Sequence, residues 1–560
     1  MKRSGIIMDV NQAIVKILED TNRVHHVFGS TGQVNASMLL ALRDSKKIET
    51  VIVRNEQAAS FMACGYTIFN PENLGVCFAT GGPGAFNLFS GLAVAYYDSL
   101  PVLAISGYAS ANQRGKGCLN ESTGLNRTPD SHKMFSATTK KSYIVEDASQ
   151  ICDIMEDALN TAFEGRPGPV HIHVPKNITI AEVPNFRPVQ IKVKPYAPKP
   201  QCAKAFANRI LSALEQKENI MLLIGYGCIR SGAQDEILKL IDTFHIPFAS
   251  TMDAKGYISE THPLSLGIFG TTGDPRAMAY FETADVVLAL GNSFAENATL
   301  LFKPDLYDGK TLMHMNIDKN EINKVYPADY AMISDIKLGL KAIWEVLNQK
   351  DALPQAQKVE ISHHKWFDLP NKPGSGKMHP ADVARVLSEV APENAIIMGD
   401  AGSHMLWLSE YMKLDQNRRY QNPGSFGPMA SHTNGSLGVK CANPDKVVIS
   451  GSGDGCYLMA GFELLTAVQN NIPVIWVIFN NGEFNVIKRF LLNMFNEHAY
   501  MQFMNPDYVA YAKSCGAEGF RVDKIEDLKP VLKKAIALNK PVVIDAVIDA
   551  EVYANMNQSM

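Results

Sequence analysis

Apolar runs of strand length alternate with helix-length segments along nearly the whole chain. Strand-like runs stand at 75–80, 102–106, 220–227, 285–291, 311–318, 447–450 and 474–480, and the intervening stretches are long enough for helices. This alternation is the pattern of parallel α/β sheets. The two ends of the chain echo each other. GGPGAFNLFSGLAVAYYDSLPV starts at Gly81 with Pro101 twenty residues on, and GDGCYLMAGFELLTAVQNNIPV starts at Gly453 with Pro473 twenty residues on. Each stretch is preceded and followed by an apolar strand, which reads as two similarly built end domains around a third α/β segment. Two stretches rich in Pro, Gly or polar residues, 184–200 and about 348–380, read as linkers. The expected fold class is therefore α/β: three domains (1–185, 200–345 and 379–560), each with a mainly parallel sheet flanked by helices.

At 560 residues the chain exceeds one ordinary core. Its 46% hydrophobic and 20% charged content is that of a soluble globular protein. A net charge of −4 gives no electrostatic case for nucleic acid or an anionic membrane as partner. The nine cysteines are odd in number, scattered and never in CxxC spacing, so reduced thiols in a cytoplasm are expected rather than disulfides or zinc. The amino-terminal segment has two basic residues but no apolar core of signal-peptide length, and it leads into an amphipathic helix. No run approaches the roughly 20 apolar residues of a membrane span. A purely NAD-dependent dehydrogenase is disfavoured, since no GxGxxG follows a strand and GYGCIRSG at 225–232 has the wrong glycine spacing.

The most specific chemistry lies in Gly453-Asp454-Gly455 and Asn480-Asn481, 27 positions from Asp454 to Asn481. That interval fits a turn, a helix and the next parallel strand, so both side chains emerge at one carboxyl edge, where open α/β sheets bind ligands. A carboxylate, an amide oxygen and a nearby backbone carbonyl are hard donors suited to Mg²⁺. The glycines let backbone N–H groups approach a diphosphate at the helix start.

The joint GDG…NN pattern resembles the signature of thiamine-diphosphate enzymes. The resemblance implies thiamine diphosphate and Mg²⁺ as cofactors, with Asp454, Asn481 and Glu483 at the metal and Gly453, Gly455 and Cys456 at the diphosphate. In VRNEQAASFMACGY (53–66), Glu56 stands in a helix's first turn, a position that by itself suits a capping residue. The resemblance instead makes it the glutamate that bonds the aminopyrimidine and shuttles its proton. An apolar site would raise its pKa for that task. Gly84 and Asn87 fall in the matching glycine-rich turn. GDAGSHMLW (399–407) is similar to the diphosphate loop and places Ser403 and His404 near the phosphates; by itself His404 reads as a solvated loop histidine. Met429 stands where a bulky apolar residue props the cofactor's bent shape, with Gly427 offering backbone to the pyrimidine. In this family the two ends of the cofactor lie on different subunits, which implies a homodimer or homotetramer with active sites between chains.

Over nearly its whole length the chain looks most like the acetolactate synthase and pyruvate oxidase branch. The adjacent histidine pair that simple 2-oxo acid decarboxylases carry after the 102–107 strand is missing; His25-His26 leads into a strand, and His363-His364 falls in the second linker. This favours a carboligase. Where acetolactate synthases have a glutamine, the chain has Asn120, in a lengthened polar loop (114–141) that either shapes the substrate pocket or is a surface excursion. Arg489 and Phe490 replace a Gln-Trp pair on the substrate-facing helix, and His432 stands in a usually apolar stretch as a candidate acid–base group. Ser30 and Thr31 complete the substrate candidates. Ala295-Glu296-Asn297-Ala298 replaces the branch's flavin-contacting run, so a middle domain that no longer binds nucleotide is favoured over one holding FAD. The expected activity is a thiamine-diphosphate- and Mg²⁺-dependent carboligase acting on a 2-oxo acid and a carbonyl acceptor. A decarboxylase or C–C lyase is the alternative, followed by a flavin-linked oxidase or an inactive regulatory homologue.

Overall fold

A computed structural model describes residues 8–350, 352–354, 361, 374–415 and 418–554. The chain forms three six-stranded parallel sheets, each flanked by helices. The first holds β1 (His26–Gly29), β2 (Glu49–Ile52), β3 (Gly75–Ala79), β4 (Val102–Tyr108), β5 (Lys141–Ile144) and β6 (Val170–Pro175), in the order β2-β1-β3-β4-β6-β5. The middle sheet holds β7 (Ile220–Ile224), β8 (Phe248–Ser250), β9 (Ser265–Ile268), β10 (Val286–Leu290), β11 (Thr311–Asn316) and β12 (Tyr330–Ile333), ordered β12-β11-β10-β7-β8-β9. The third holds β13 (Ile396–Gly399), β14 (Arg419–Gln421), β15 (Val448–Gly453), β16 (Val474–Asn480), β17 (Glu518–Val522) and β18 (Val542–Val547), ordered β14-β13-β15-β16-β18-β17.

Counted from its own first strand, the third sheet repeats the order of the first, which explains the echo between the chain's two ends. The middle sheet has the order of dinucleotide-binding folds. Every residue of β3, β4, β7, β10 and β15 is buried, as expected of central parallel strands covered on both faces. The amino-terminal amphipathic segment forms the helix Val10–Thr21, opened by a capping box between Asp9 and Gln12. Residues 186–199 of the first linker run without helix or strand. Most of the second linker, with His363-His364, lies outside the described residues. Among the described residues no helix is long and apolar enough to cross a membrane.

The end domains are joined by two buried helices, Glu56–Ile68 and Ser431–Ala442. They cross at glycines. A Cβ on Gly65 would lie 2.0 Å from the Gly435 carbonyl oxygen, and one on Gly438 would lie 1.8 Å from the Met62 carbonyl oxygen. Backbone therefore packs on backbone, and no side chain has room to enter. Gly438→Ala should force the helices apart and cost about 1–3 kcal/mol of stability, the usual range for overpacking. Urea denaturation measures this, and an unchanged midpoint would show that the crossing yields freely.

Candidate active site

The loops after β13 and β15 meet where the order of the third sheet reverses. Gly453 pairs with Phe479 in the β15–β16 ladder, so Asp454 and the Asn480-Asn481 pair leave the sheet side by side, as the motif spacing predicts. Asp454 is buried at the first position of the helix Asp454–Ala460. One of its oxygens accepts the Gly455 N–H (2.9 Å); the other accepts the N–H groups of Asn481 (3.1 Å) and Gly482 (2.7 Å) and the Asn505 amide (2.8 Å). Burial raises its pKa, and these donors oppose the rise.

Of the asparagine pair, Asn480 is committed to Asp545 (2.7 Å) and Asn505 (2.8 Å). Asn481 is the partner of Asp454 in the turn. The Glu483 carboxylate is turned away, to Lys488 (3.1 Å) in a buried ion pair, so what Glu483 can offer a metal is its backbone carbonyl. Asn505, Asp545 and Lys488 carry no sequence signal. Asn505 lies in a loop, Asp545 in the buried strand β18 and Lys488 in the helix Asn485–Phe495, and they come together at this turn only through the fold.

Around the turn, Ser403 opens the helix Ser403–Tyr411 and donates to Asn485 (3.0 Å). The His404 ring fills the space a Cβ on Gly453 would need, at 2.8 Å. It is buried rather than solvated, and burial drives its pKa down to about 3, leaving a neutral ring whose Nε2 has no partner among the described residues. Met429 reaches Gly455, where a Cβ would lie 3.0 Å from its methyl group. Gly427 has a positive φ of 39°. Cys456 is a buried thiol directed at the Ala401 carbonyl (3.0 Å).

Three substrate-side expectations meet different surroundings. His432 is buried, bonded through Nδ1 to Ser431 (3.2 Å), and held neutral by burial with a pKa near 3. A group that binds no proton at neutral pH is poorly matched to general acid–base work. Arg489 stacks its guanidinium 4.9 Å from the Tyr553 ring centre, and Phe490 is exposed. Neither bonds to the Asp454 turn.

The amino-terminal half-site lies at the equivalent edge of the first sheet. Glu56 starts its helix behind the cap Asn55, whose side chain accepts the Gln57 N–H. Its carboxylate accepts the Ser30 hydroxyl and the Asn87 amide (2.9 Å). Gly84 leaves the space beside it open, since a Cβ would lie 3.2 Å from Glu56 Oε1. Thr31 is exposed and Asn120 partly so. Asn120 has a left-handed φ of 58° and brings its backbone against Gly81 and Gly82, where a Cβ on Gly82 would lie 2.9 Å from its carbonyl oxygen. The expected rise in the Glu56 pKa is not found. Burial does push it up, but the bonds from Ser30, Asn87 and backbone outweigh burial and hold it below the ordinary value. Among the described residues no hydrogen bond joins the Glu56 cluster to the Asp454 cluster.

The residues at Asp454 suit a metal-bound diphosphate: hard oxygen donors, a helix start, glycines at 453 and 455 that let His404 and Met429 close in on the turn, and the orphaned Nε2 of a buried histidine. The middle domain offers a cavity of about 480 Å³ at its own point of strand reversal, lined by Gly225 and Gly227 after β7 and by Gly291 and Asn292 after β10. Its walls also carry Asp98 and Asp253, pushed up by burial to about 8 and about 6. The arginines lining it are bonded to protein acceptors: Arg23 to Glu72, Arg166 to Tyr97 and Arg230 to Thr67. With Glu72, Glu321 and Asp335, five acids line the cavity against three engaged arginines and Lys194, a balance that does not suit a flavin's diphosphate.

Two end sheets of one topology thus carry a buried acidic turn on one and a helix-borne glutamate on the other, a frame in keeping with enzymes that bind one cofactor between two such domains. Comparison with known proteins agrees. The thiamine pyrophosphate enzyme N-terminal TPP binding domain matches residues 8–131, the central domain 207–343 and the C-terminal TPP binding domain 400–546. A probable acetolactate synthase large subunit of Methanocaldococcus jannaschii is 30% identical over 554 residues, covering 96% of this chain and 91% of that protein. The acetolactate synthase of Mycobacterium bovis is 30% identical over 96% of this chain and 88% of its own length. Acetolactate synthase isozyme 3 large subunit of Escherichia coli is 28% identical over 96% and 94%. The chain belongs to the thiamine pyrophosphate enzymes, in their acetolactate synthase branch.

Asn505→Ala removes the side-chain donor that orients Asp454. By analogy with other supporting residues of metal sites, it should weaken Mg²⁺-dependent thiamine-diphosphate binding by about 10–100-fold. Titration calorimetry measures this, and an unchanged affinity would show that the backbone N–H groups alone hold Asp454.

Proposed function

We propose that the chain is a Mg²⁺- and thiamine-diphosphate-dependent carboligase that decarboxylates a 2-oxo acid and joins the remaining carbon unit to a carbonyl acceptor. The observation that carries this reading is the placement of Asp454 beside Asn481 at one sheet edge and Glu56 at the equivalent edge of the other, in a chain similar to acetolactate synthases end to end. Thiamine diphosphate supplies the carbon nucleophile and the electron sink. The protein's part is to bind, orient and move protons. Asp454, Asn481 and the Glu483 carbonyl would hold Mg²⁺, while Ser403, His404 and the amino end of Asp454–Ala460 would face the diphosphate. Met429, reaching over Gly455, would set the bend. Glu56 would hold the proton exchanged with the pyrimidine, aimed by Ser30 and Asn87.

That no hydrogen bond joins the two half-sites among the described residues is in keeping with active sites shared between chains of a homodimer or larger assembly. Exposed Leu458, Met459, Phe462 and Leu465, on the two short helices from Asp454 to Gln469 and the break between them, give such a partner an apolar face. Closure by the partner would remove water from Glu56 and raise its pKa toward the value its role requires. Flavin takes no part in this reading. All nine cysteines are free, which supports a reducing, cytoplasmic setting.

Two measurements test the proposal. Carbon-13 NMR of products from labelled pyruvate, with Mg²⁺, thiamine diphosphate and a mixture of aldehyde and 2-oxo acid acceptors, should show a labelled acyloin or acetohydroxy acid. Labelled acetaldehyde alone would make the enzyme a decarboxylase, and untouched pyruvate would move the search to other donors. Glu56→Gln should keep the fold and cofactor affinity while turnover falls by about 10²–10⁴-fold, the usual range for a lost proton-transfer group. Near wild-type turnover would remove Glu56 from the mechanism.

A further inference from the structure

Glu463 is a buried carboxylate, 3% exposed, for which the proposed chemistry has no use. It opens the helix Glu463–Gln469, which follows Asp454–Ala460 after a break at Gly461 and Phe462. One of its oxygens accepts the backbone N–H of both Arg54 and Asn55, each at 3.0 Å. The other accepts the Thr466 hydroxyl at 2.6 Å and the Arg54 N–H at 3.3 Å. From the far end of the same helix, the Gln469 side-chain oxygen accepts from the Arg54 guanidinium at 2.6 Å. A single helix of the carboxyl-terminal domain thus holds, at both of its ends, the two residues directly before Glu56.

Burying a carboxylate is costly unless its oxygens are bonded, and here both are. The groups they hold are the last main-chain donors before the Glu56 helix. That turn fixes where Glu56 sits, because Asn55 caps the helix and Glu56 is its first residue. The Glu56 carboxylate bonds only within its own domain, to Ser30 and Asn87, among the described residues. Besides the glycine crossing farther along its helix, the Arg54–Asn55 turn is thus where the carboxyl-terminal domain fixes the position of Glu56.

We infer that Glu463 is a positioning residue: from the carboxyl-terminal domain it clamps the Arg54–Asn55 turn and so sets the direction in which Glu56 presents its carboxylate. The inference rests on the proton role proposed for Glu56. Small displacements of such a group are expensive, since a misplacement of about 1 Å costs up to about 10²-fold in rate.

The test uses the full-length protein. Acid-quench NMR measures how fast the thiazolium C2 proton of bound thiamine diphosphate exchanges with deuterium, and amide exchange of the apo protein reads residues 50–60 without any cofactor. Glu463→Ala should slow C2 exchange by about 10–100-fold and speed amide exchange at 54–58, leaving Mg²⁺ and thiamine-diphosphate affinity unchanged. Glu463→Gln should restore both rates, because its amide oxygen still accepts two N–H groups and its NH₂ can donate to the Thr466 hydroxyl. Wild-type C2 exchange in Glu463→Ala would overturn the inference, as would a Glu463→Gln enzyme as slow as the alanine variant. Should Glu463→Ala fail to fold, Glu463→Asp, which withdraws the carboxylate by one methylene, carries the same expectation and the same overturning result. Glu56→Gln separates the two claims. If it slows C2 exchange while Glu463→Ala does not, only the positioning role falls; if it leaves C2 exchange unchanged, the Glu56 role falls first.

Discussion

The contact on which the rest of the structure depends is the crossing of the helices Glu56–Ile68 and Ser431–Ala442. Glycines at 65, 435 and 438 bring the two backbones together so closely that neither helix can shift without collision. Each helix also begins at chemistry: the first with Glu56, the second two residues after Met429. The geometry of both half-sites is thus referred to one rigid seam. The seam asks something of its flanks in return, for Ala430 takes a left-handed φ of 71° immediately before the second helix. A residue with a Cβ is costly in that conformation, and such strain survives only where the surroundings over-determine it.

Much of this architecture is legible in the amino-acid sequence alone. The GDG…NN spacing predicts Asp454 and Asn481 at the ends of neighbouring parallel strands, and the β15–β16 register puts them there. The repeat between the chain's ends appears as two sheets of identical strand order. What the sequence hides is the set of partners supplied from a distance. Asn505 orients Asp454 from 51 positions away, and Glu463 reaches Arg54 across 409. Neither leaves a local pattern, since a single polar residue in a loop or at a helix start looks like any other. The ionisation of His404 and His432 is equally unreadable, because it depends on how completely other segments cover them. The backbone of Asn120 is likewise unreadable: its left-handed φ of 58° and the approach of its peptide to Gly81 and Gly82 have no local signature.

The middle domain shows that strand order alone does not fix a ligand. Its sheet has the strand order of dinucleotide-binding folds, and its cavity opens at the point where such folds bind. Yet the glycines after β7 and β10 pack against each other: a Cβ on Gly227 would lie 2.8 Å from the Gly291 Cα. They serve the joint between helix and strand, and the groups facing the cavity are the acids and engaged arginines already described. Topology there predicts a hollow; the side chains decide what it will accept.

The shared strand order of the two end sheets has a consequence for how such a chain can change. Because both present their reactive loops at the same kind of edge, the scaffold itself does not distinguish a pyrimidine end from a diphosphate end. That distinction rests on a few loop residues: a carboxylate after β2 in one domain, a glycine-flanked carboxylate after β15 in the other. Division of labour between the two domains is therefore written in loops on a common frame.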